Sequence, residues 1–296
     1  MDHKAFLASL SSEKLRQLEQ RRDGPAIFRL AVHGGLIFLL GFLIAVEIPW
    51  WPVLMLPQGI LIVFLFTLEH ETAHQTAFAS DRLNAIVGRI CGCLVFVPTA
   101  WFRYFHFAHH RHTQDPDNDP ELEGGKPDTR LQYFWHITGL PLWWAMLKIH
   151  LANANGSQFP RYVSKRAYSR LKFEARLLIG IYCALVLGSI AMQSTLLLWV
   201  WVLPAIIGQP FLRLYLLAEH GRCPFVSNML NNTRTTFTNS VVRWVAWNMP
   251  YHAEHHTAPT VPFHQLPALH ELVREHLGAT SDGYVAFHKD YVGELR

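Results

Sequence analysis

Four apolar stretches constrain the fold of this chain more than any other feature. They cover residues 27–48, 52–69, 177–192 and 196–218. A membrane-spanning helix needs about 20 mostly apolar residues, so each stretch is a candidate span. Only 16% of the 296 residues are charged, whereas soluble domains have about 25%. We therefore predict an all-α integral membrane protein rather than a soluble protein with buried helices.

The connections between these stretches predict the topology. Only a few residues join the first to the second and the third to the fourth, so we expect two helical hairpins. Lys and Arg precede the first and third stretches, and the hairpin tips have none. The positive-inside rule then predicts a multi-pass protein of the inner (cell) membrane with cytoplasmic N and C termini. The same bias accounts for the net charge of +4 without a nucleic-acid partner.

This topology predicts how the chain is divided. Residues 1–26 are expected to form a cytoplasmic amphipathic N-terminal segment. Residues 27–296 are expected to form a single membrane domain with four transmembrane helices. Its helical cytoplasmic cap would comprise about residues 70–176 and 219–296.

Nine of the 18 histidines follow a pattern that indicates a metal centre. They occur as HETAH, HFAHH and HAEHH, plus one histidine at the end of the fourth stretch, and all fall on the predicted cytoplasmic side. On a helix, positions three or four apart share a face, so such rings can reach one ion. Nine imidazoles exceed the needs of one metal, which predicts a two-metal centre. The candidates are His70, His74, His106, His109, His110, His220, His252, His255 and His256, with His112 as a further possible ligand.

The ligand chemistry favours iron. Imidazole-rich sites with open positions suit redox-active iron, and two neighbouring irons can use O2 to oxidise an unactivated C–H bond. One alternative reads His70–His74 as H-E-x-x-H, the zinc-binding helix of a metalloprotease with a general-base Glu. An intramembrane zinc metalloprotease would need only one further protein ligand, which leaves the other histidines without a role.

Polar residues beside the histidines are candidates for orienting them, because a metal-bound imidazole usually donates its other N–H to a carboxylate or carbonyl. Arg213, inside the fourth stretch, is costly in lipid and should face the helix bundle or the site. We expect the other seven histidines in or beyond the first stretch to be packing residues. The orienting candidates are Glu71, Asp119, Glu121, Glu219 and Glu254; the packing histidines are His33, His136, His150, His264, His270, His276 and His288.

Three segments of the chain resemble the histidine boxes of the membrane fatty acid desaturases and their hydroxylase relatives. They are HETAHQTAF from His70, RYFHFAHHRHTQDPDNDPE from Arg103 and WNMPYHAEHHTAPTVPFHQLP from Trp247. His220, in LAEHG, resembles the extra histidine of that family, and the resemblance covers about residues 27–275. It implies a mushroom-shaped, four-helix fold with a cytoplasmic di-iron cap that depends on O2 and external electrons. The same nine histidines would be its ligands.

The expected function is O2-dependent desaturation or hydroxylation of a fatty-acyl or lipid-like chain. A carotenoid or alkane oxygenase of the same fold is the alternative, because the histidine spacing does not specify the substrate. The sequence has no G-x-G-x-x-G after a strand, no iron–sulfur cysteine run and no haem-attachment motif. Electrons are therefore expected from a separate ferredoxin or cytochrome-type donor with its reductase.

Overall fold

The computed structural model describes residues 1–157 and 159–296, which form a mostly helical protein. The described residues include only two strands, β1 (Thr235–Thr236) and β2 (Thr280–Ser281), which pair in parallel. The predicted all-α class is therefore confirmed. The helices are α1 (His3–Ser9), α2 (Ser12–Leu18), α3 (Asp23–Ala45), α4 (Trp51–Ala73), α5 (Asp81–Val95), α6 (Thr99–His112), α7 (Arg130–Thr138), α8 (Leu140–Asn155), α9 (Tyr168–Ala191), α10 (Leu203–His220), α11 (Met229–Asn232), α12 (Ser240–Val245), α13 (His252–Thr257), α14 (Leu266–Val273) and α15 (Tyr284–Gly293).

Four helices are long and apolar enough to cross a membrane, as predicted: α3, α4, α9 and α10. A π-helical turn, Leu198–Val202, extends α10 toward its hairpin tip. All four helices reach beyond the predicted spans: α3 begins at Asp23, α4 continues to Ala73, α9 begins at Tyr168 and α10 ends at His220. The extra residues of α9 include polar ones such as Lys172 and Glu174, and hydropathy misses them because it detects only the apolar part of a helix. The pair α5 and α6 also passes the test together, but it is bent by 97°.

The four long helices form an inner and an outer pair. In the most apolar 18-residue stretch of each helix, half of the residues of α4 and 39% of those of α10 are buried, compared with 11% for α3 and for α9. Large apolar side chains cover the outer pair, such as Phe38, which is 78% exposed, and Leu187, which is 66% exposed. Since the backbone of a helix satisfies its own hydrogen bonds, such surfaces are suited to lipid.

The inner helices touch where two glycines meet. A Cβ atom on Gly59 of α4 would lie 1.9 Å from the carbonyl oxygen of Pro204, and one on Gly208 of α10 would lie 2.3 Å from the carbonyl carbon of Gly59. Small residues permit this approach between membrane helices. From this crossing α4 runs 11 residues to His70 and α10 runs 12 to His220. At about 1.5 Å per residue, both histidines end up at nearly the same height.

A bend between α5 and α6 brings the second histidine segment over the end of α4. Phe96 has a left-handed backbone with φ 62°, and Pro98 precedes the first turn of α6. Pro98 disfavours continuation of the preceding helix, so the chain turns here by 97°. The C-terminal helices complete the cap, with Trp247 and Phe263 fully buried.

The N-terminal segment packs on the protein. Ser11 caps α2 by accepting a hydrogen bond from the backbone N–H of Lys14. Phe6 of α1 and Leu18 of α2 are buried in the same core as the C-terminal helices. The cytoplasmic side of this segment and of the cap, and the division of the chain at residue 26, stay predictions.

Candidate metal centre

Four helical elements bring the nine candidate histidines together. The end of α4 carries His70 and His74, α6 carries the three of the second segment, α10 ends at His220, and α13 carries the three of the third segment. Seven of the nine residues are buried, and His74 and His110 are half-buried. Two helix ends and two cap helices thus meet at one point, as the topology requires.

Five of these residues form what we term the first histidine group: His70, His74, His106, His110 and His255. One nitrogen from each lies within 4.8 Å of those of the others. The Nε2 atom of His106 is 2.7 Å from that of His74 and 3.0 Å from that of His110. The Nε2 atoms of His110 and His255 are 3.2 Å apart. Neither ring nitrogen of His70 has a hydrogen-bond partner among the described residues.

The other four form the second histidine group: His109, His220, His252 and His256. Nitrogens of His109, His220 and His256 lie within 4.8 Å of one another. The Nε2 atom of His220 is 3.1 Å from that of His109 and 3.2 Å from that of His252. The two groups adjoin, because the rings of His110 and His256 stack with centroids 4.0 Å apart.

The outer nitrogens of the second group have partners that fix the rings. Nδ1 of His109 lies 2.9 Å from Oδ1 of Asp119, and Nδ1 of His220 lies 3.2 Å from the carbonyl oxygen of Asn232. Nδ1 of His256 is 3.2 Å from the Thr113 hydroxyl. Nδ1 of His252 lies 3.3 Å from Oε1 of Glu219, although without hydrogen-bond geometry. Such contacts select the tautomer whose Nε2 lone pair is free for a metal.

The electrostatics also fit metal ligation. Burial, together with the neighbouring histidines, lowers the pKa of His106, His110, His252, His255 and His256 well below the usual value. These rings are therefore neutral at pH 7, the form that binds metals. Burial also acts to lower the pKa of His109, but the carboxylates of Glu121 and Asp119 outweigh it, so the pKa is raised.

Imidazole nitrogens whose lone pairs point at one another repel unless a positive charge lies between them. A proton between two Nε2 atoms serves only that pair, whereas a metal ion accepts several lone pairs at once. The unpartnered nitrogens of His70 and the Nε2 atom of His256 are buried as well. The nine residues thus fit two metal ions, five imidazoles facing one position and up to four facing the other.

The predicted orienting residues divide into two sets. Asp119, Glu121 and Glu219 contact candidate ligands; Oε2 of Glu121 lies 3.3 Å from Nε2 of His109, and Glu121 also pairs with Lys126. Glu71 instead accepts a hydrogen bond of 2.9 Å from the backbone N–H of Phe263.

The remaining predicted residues lie near the centre without joining either histidine group. Glu254 accepts bonds of 2.5 Å from the Thr235 hydroxyl and from Nδ1 of His270. Arg213 lies beside His136, with 3.2 Å between Nη2 and Nε2. His112, the further possible ligand, lies 3.8 Å from Asp115 at the cap surface and is not in either group of the described residues.

Several contacts of the centre had no sequence signal. Thr113 and Asn232 act through a hydroxyl and a backbone carbonyl, which no ligand motif marks. Gln114 likewise donates from Nε2 to the carbonyl oxygen of His220 at 2.9 Å. His136 and His270 were expected to be packing residues, but they contact Arg213 and Glu254. Their partners are distant in sequence, so spacing alone does not reveal them.

A cavity of about 570 Å³ opens beside the histidines. Its lining includes four of the candidate ligands, His70, His106, His109 and His252. The walls are mostly apolar and come from four helices. Phe66 of α4, apolar side chains of α6 and α8, and Leu212 and Leu216 of α10 contribute to them. This volume and lining suit a small, largely apolar ligand.

Comparison with known proteins identifies the family of this arrangement. Residues 48–288 match the model of the family described as fatty acid desaturase. The chain belongs to the fatty acid desaturase family. This confirms the resemblance inferred from the histidine segments, and it places the apolar helices and histidine centre in a family of membrane oxidoreductases.

Several desaturases are among the curated relatives, and their sequence identity to this chain is low. An sn-1 acyl-lipid omega-3 desaturase (ferredoxin) from Nostoc sp. (strain 36) is 32% identical over 102 residues, 33% of this chain and 28% of that protein. A sphingolipid delta(4)-desaturase from Drosophila melanogaster is 24% identical over 227 residues, 73% of this chain and 64% of that protein. An sn-1 oleoyl-lipid 12-desaturase from Picosynechococcus sp. is 23% identical over 258 residues, 78% and 71%. The chain therefore spans less than two thirds of the length of the first two.

Proposed function

We propose that this protein is a di-iron oxidoreductase that uses O2 to desaturate or hydroxylate a fatty-acyl or lipid-like chain. The observation that carries the proposal is the convergence of nine imidazoles, in two adjoining groups, at the end of a mostly apolar cavity. Membership of the fatty acid desaturase family supports it.

The first and second histidine groups would each hold one iron, and bound iron would supply the O2-dependent oxidation of a C–H bond. The protein itself binds the substrate chain, orients the metal ligands and shields the reacting carbon from water. Asp119 fixes the ring of His109, and Asn232 and Thr113 do the same for His220 and His256. The apolar walls hold the substrate chain and keep water from the reacting carbon.

The overall reaction balances with an external supply of electrons. Desaturation converts two adjacent methylenes, one O2, two electrons and two protons into an alkene and two waters. Hydroxylation converts one C–H bond with the same inputs into an alcohol and one water. The outcome depends on how closely the second hydrogen is held to the oxidant, a matter of ångström-level placement.

We further propose that a ferredoxin or cytochrome-type donor, with its reductase, supplies these electrons. The chain has no motif for a redox cofactor of its own that could accept electrons from a nicotinamide. The Nostoc relative is named as ferredoxin-dependent, which supports a donor of this class.

The membrane arrangement is part of the proposal. The four long apolar helices support a multi-pass membrane protein. The excess of Lys and Arg before the first and third spans supports cytoplasmic termini and a cytoplasmic cap, in the inner (cell) membrane. We propose one membrane domain, residues 27–296, with the segment 1–26 resting on its cap.

A zinc protease is not favoured. The H-E-x-x-H reading of His70–His74 needs Glu71 free to activate water. Oε1 of Glu71 accepts the backbone N–H of Phe263, and seven further histidines, more than a zinc site uses, converge on the same site. A carotenoid or alkane oxygenase of the same fold remains within the proposed chemistry and differs only in substrate.

Turnover by purified protein tests this function. We expect membranes or nanodiscs containing the iron-loaded protein to oxidise an acyl chain only when O2, a reduced ferredoxin and its reductase are all present. Mass spectrometry of the lipids reads the product as a loss of two hydrogens or a gain of one oxygen. Sustained turnover without any donor, or peptide cleavage without O2, would contradict the proposal.

A further inference from the structure

The wall of the cavity that α10 provides carries three polar side chains among its leucines, although α10 is a candidate membrane helix. Gln209, Arg213 and Glu219 of α10 all line the cavity, and Leu212 and Leu216 lie between them. Positions three and four apart share a helix face, so these residues form a continuous stripe. The facing walls, from α6 and α8, are apolar, with Trp101, Phe102, Leu142 and Met146.

Arg213 is a cation in this wall, and the carboxylates of Glu121 and Glu219 act on it electrostatically without pairing with it directly. Its guanidinium lies 3.2 Å from Nε2 of His136 and forms no ion pair among the described residues. Burial first, and then the charge of Arg213, lowers the pKa of His136 to about 3, so this ring is neutral and accepts a hydrogen bond without carrying charge. A cation in a membrane helix without a counter-ion is costly and marks a functional site.

Gln209 offers a second donor one turn below. Its side chain is 3% exposed, lines the cavity, and its Nε2 atom has no hydrogen-bond partner among the described residues. A buried donor without an acceptor costs about 1–3 kcal/mol. An unpartnered amide donor and a guanidinium without an ion pair among the described residues therefore line the same cavity.

Of the three acidic side chains that line the cavity, Glu121, Glu123 and Glu219, two contact other residues. Glu121 pairs with Lys126 and approaches His109, and Glu219 approaches His252. Of the two basic side chains that line the cavity, Lys126 pairs with Glu121, whereas Arg213 has no ion pair among the described residues. A carboxylate that enters the cavity can therefore pair with the guanidinium of Arg213.

We propose that Arg213 and Gln209 bind the carboxylate of the substrate, so that the cavity takes a free acid rather than an uncharged acyl ester. The inference rests on the proposed oxidation of an acyl chain in this cavity. A guanidinium matches a planar carboxylate with two parallel hydrogen bonds. The amide of Gln209 supplies a further donor. The apolar part of the chain lies against α6 and α8.

The helix also sets where the chain is oxidised. His220 lies seven residues beyond Arg213 on α10, an axial distance of about 10 Å at about 1.5 Å per residue. A carboxylate held at Arg213 therefore keeps the first carbons of the chain away from the histidines. The oxidised carbon is one farther along the chain, and the position is counted from the carboxylate.

Binding measurements with matched ligands test this. Octanoic, dodecanoic and hexadecanoic acids, their methyl esters and monododecyl phosphate are titrated into the metal-loaded protein in nanodiscs, with tryptophan fluorescence and calorimetry as readouts. We expect the wild type to bind each acid about ten- to a hundredfold more tightly than its ester, the range for a hydrogen bond to a charged group. Equal binding of acid and ester overturns the proposal. Tighter binding of the phosphate than of dodecanoic acid assigns the site to a phosphate headgroup and overturns the carboxylate.

Substitutions of Arg213 and Gln209 test whether these two side chains cause the preference for the acid over the ester. Arg213→Gln and Gln209→Glu should weaken acid binding by that factor and leave ester binding unchanged, and Arg213→Lys should restore part of it. Arg89→Gln, at an exposed arginine of α5 that does not line the cavity, should behave as wild type. Equal weakening of acid and ester in Arg213→Gln would show a structural role and overturn the proposal. If that variant does not fold, Gln209→Glu and the wild-type comparison decide.

Iron content and turnover are measured on the same samples to separate the two proposals. Preference for acid in binding, combined with an absence of oxidation of any chain, would contradict the proposed function alone. Oxidation of acid and ester with the same KM and kcat would contradict the carboxylate site alone. In the Arg213→Gln variant we expect KM for the acid to rise more than kcat falls.

Discussion

The two histidine groups differ in how they are held. In the second group, Asp119, Asn232 and Thr113 hold the outer nitrogens of three rings. In the first group, Nδ1 of His70, of His110 and of His255 has no hydrogen-bond partner among the described residues. The second group is therefore oriented by the protein before a metal arrives, whereas the first depends more on the metal itself.

The two histidine groups of one centre can thus be preorganised for metal binding to different extents. A preorganised site loses less conformational entropy on binding and binds more tightly for the same ligands. A less constrained site adjusts its geometry more easily when its ligands change. We expect metal to load the second group first, and the following substitutions test that order.

Substituting one ligand in each group should have the largest effect. The metal-free protein is titrated with cobalt(II), and absorbance follows two phases in the wild type. His220→Ala should remove the tighter phase and His255→Ala the weaker one, because each deletes an imidazole from a different group. Both should reduce turnover with iron to background. His276→Ala, outside both groups, serves as the control, and loss of the same phase in both ligand variants would refute the assignment.

Moving the helices that carry the two groups should have the next largest effect. In Gly59→Ala the added Cβ would lie 1.9 Å from the Pro204 carbonyl oxygen, so α4 and α10 must separate. Such overpacking costs about 1–3 kcal/mol, and it shifts His70 relative to His220. We expect a lower melting temperature and impaired iron binding in both groups.

Gly180→Ala is the matched control for that substitution. Gly180 lies on α9, and its added Cβ would meet nothing within 4 Å. The control should keep wild-type iron content and stability. If Gly59→Ala behaves like Gly180→Ala, the glycine crossing does not position the centre.

Removing an orienting carboxylate should have the smallest of these effects. Asp119→Asn keeps the size of the side chain but weakens its hold on Nδ1 of His109. Loss of such a partner typically costs about 10- to 100-fold in metal affinity. We expect this loss in the tighter cobalt phase only, with the weaker phase unchanged. Asp117→Asn, exposed on the same turn, should change neither phase.

Much of this arrangement could be predicted from sequence because it rests on local patterns. Apolar length predicted the four candidate spans, and histidine spacing selected the nine residues that converge. Hydropathy did not give the start of α9, because polar residues such as Lys172 continue the helix. The partners of His220 and His256 were also beyond prediction, because a backbone carbonyl and a hydroxyl carry no spacing signal.

Residues that act across the fold were the hardest to recognise. His136 lies 77 positions from Arg213, and Phe263 lies 192 from Glu71. Pairs of this kind depend on how α7 and the C-terminal loop pack, which no local pattern specifies. The polar side chains of α10 could be recognised only in part from the sequence, because Arg213 is conspicuous in an apolar stretch and Gln209 is not.

The metal content of the purified protein tests the central claim most directly. The protein is isolated from cells without added metal, and iron and zinc per chain are quantified by mass spectrometry. Two facing histidine groups predict about two irons per chain and no stoichiometric zinc. One zinc per chain, with no iron bound even after anaerobic reconstitution with iron(II), would contradict the di-iron account.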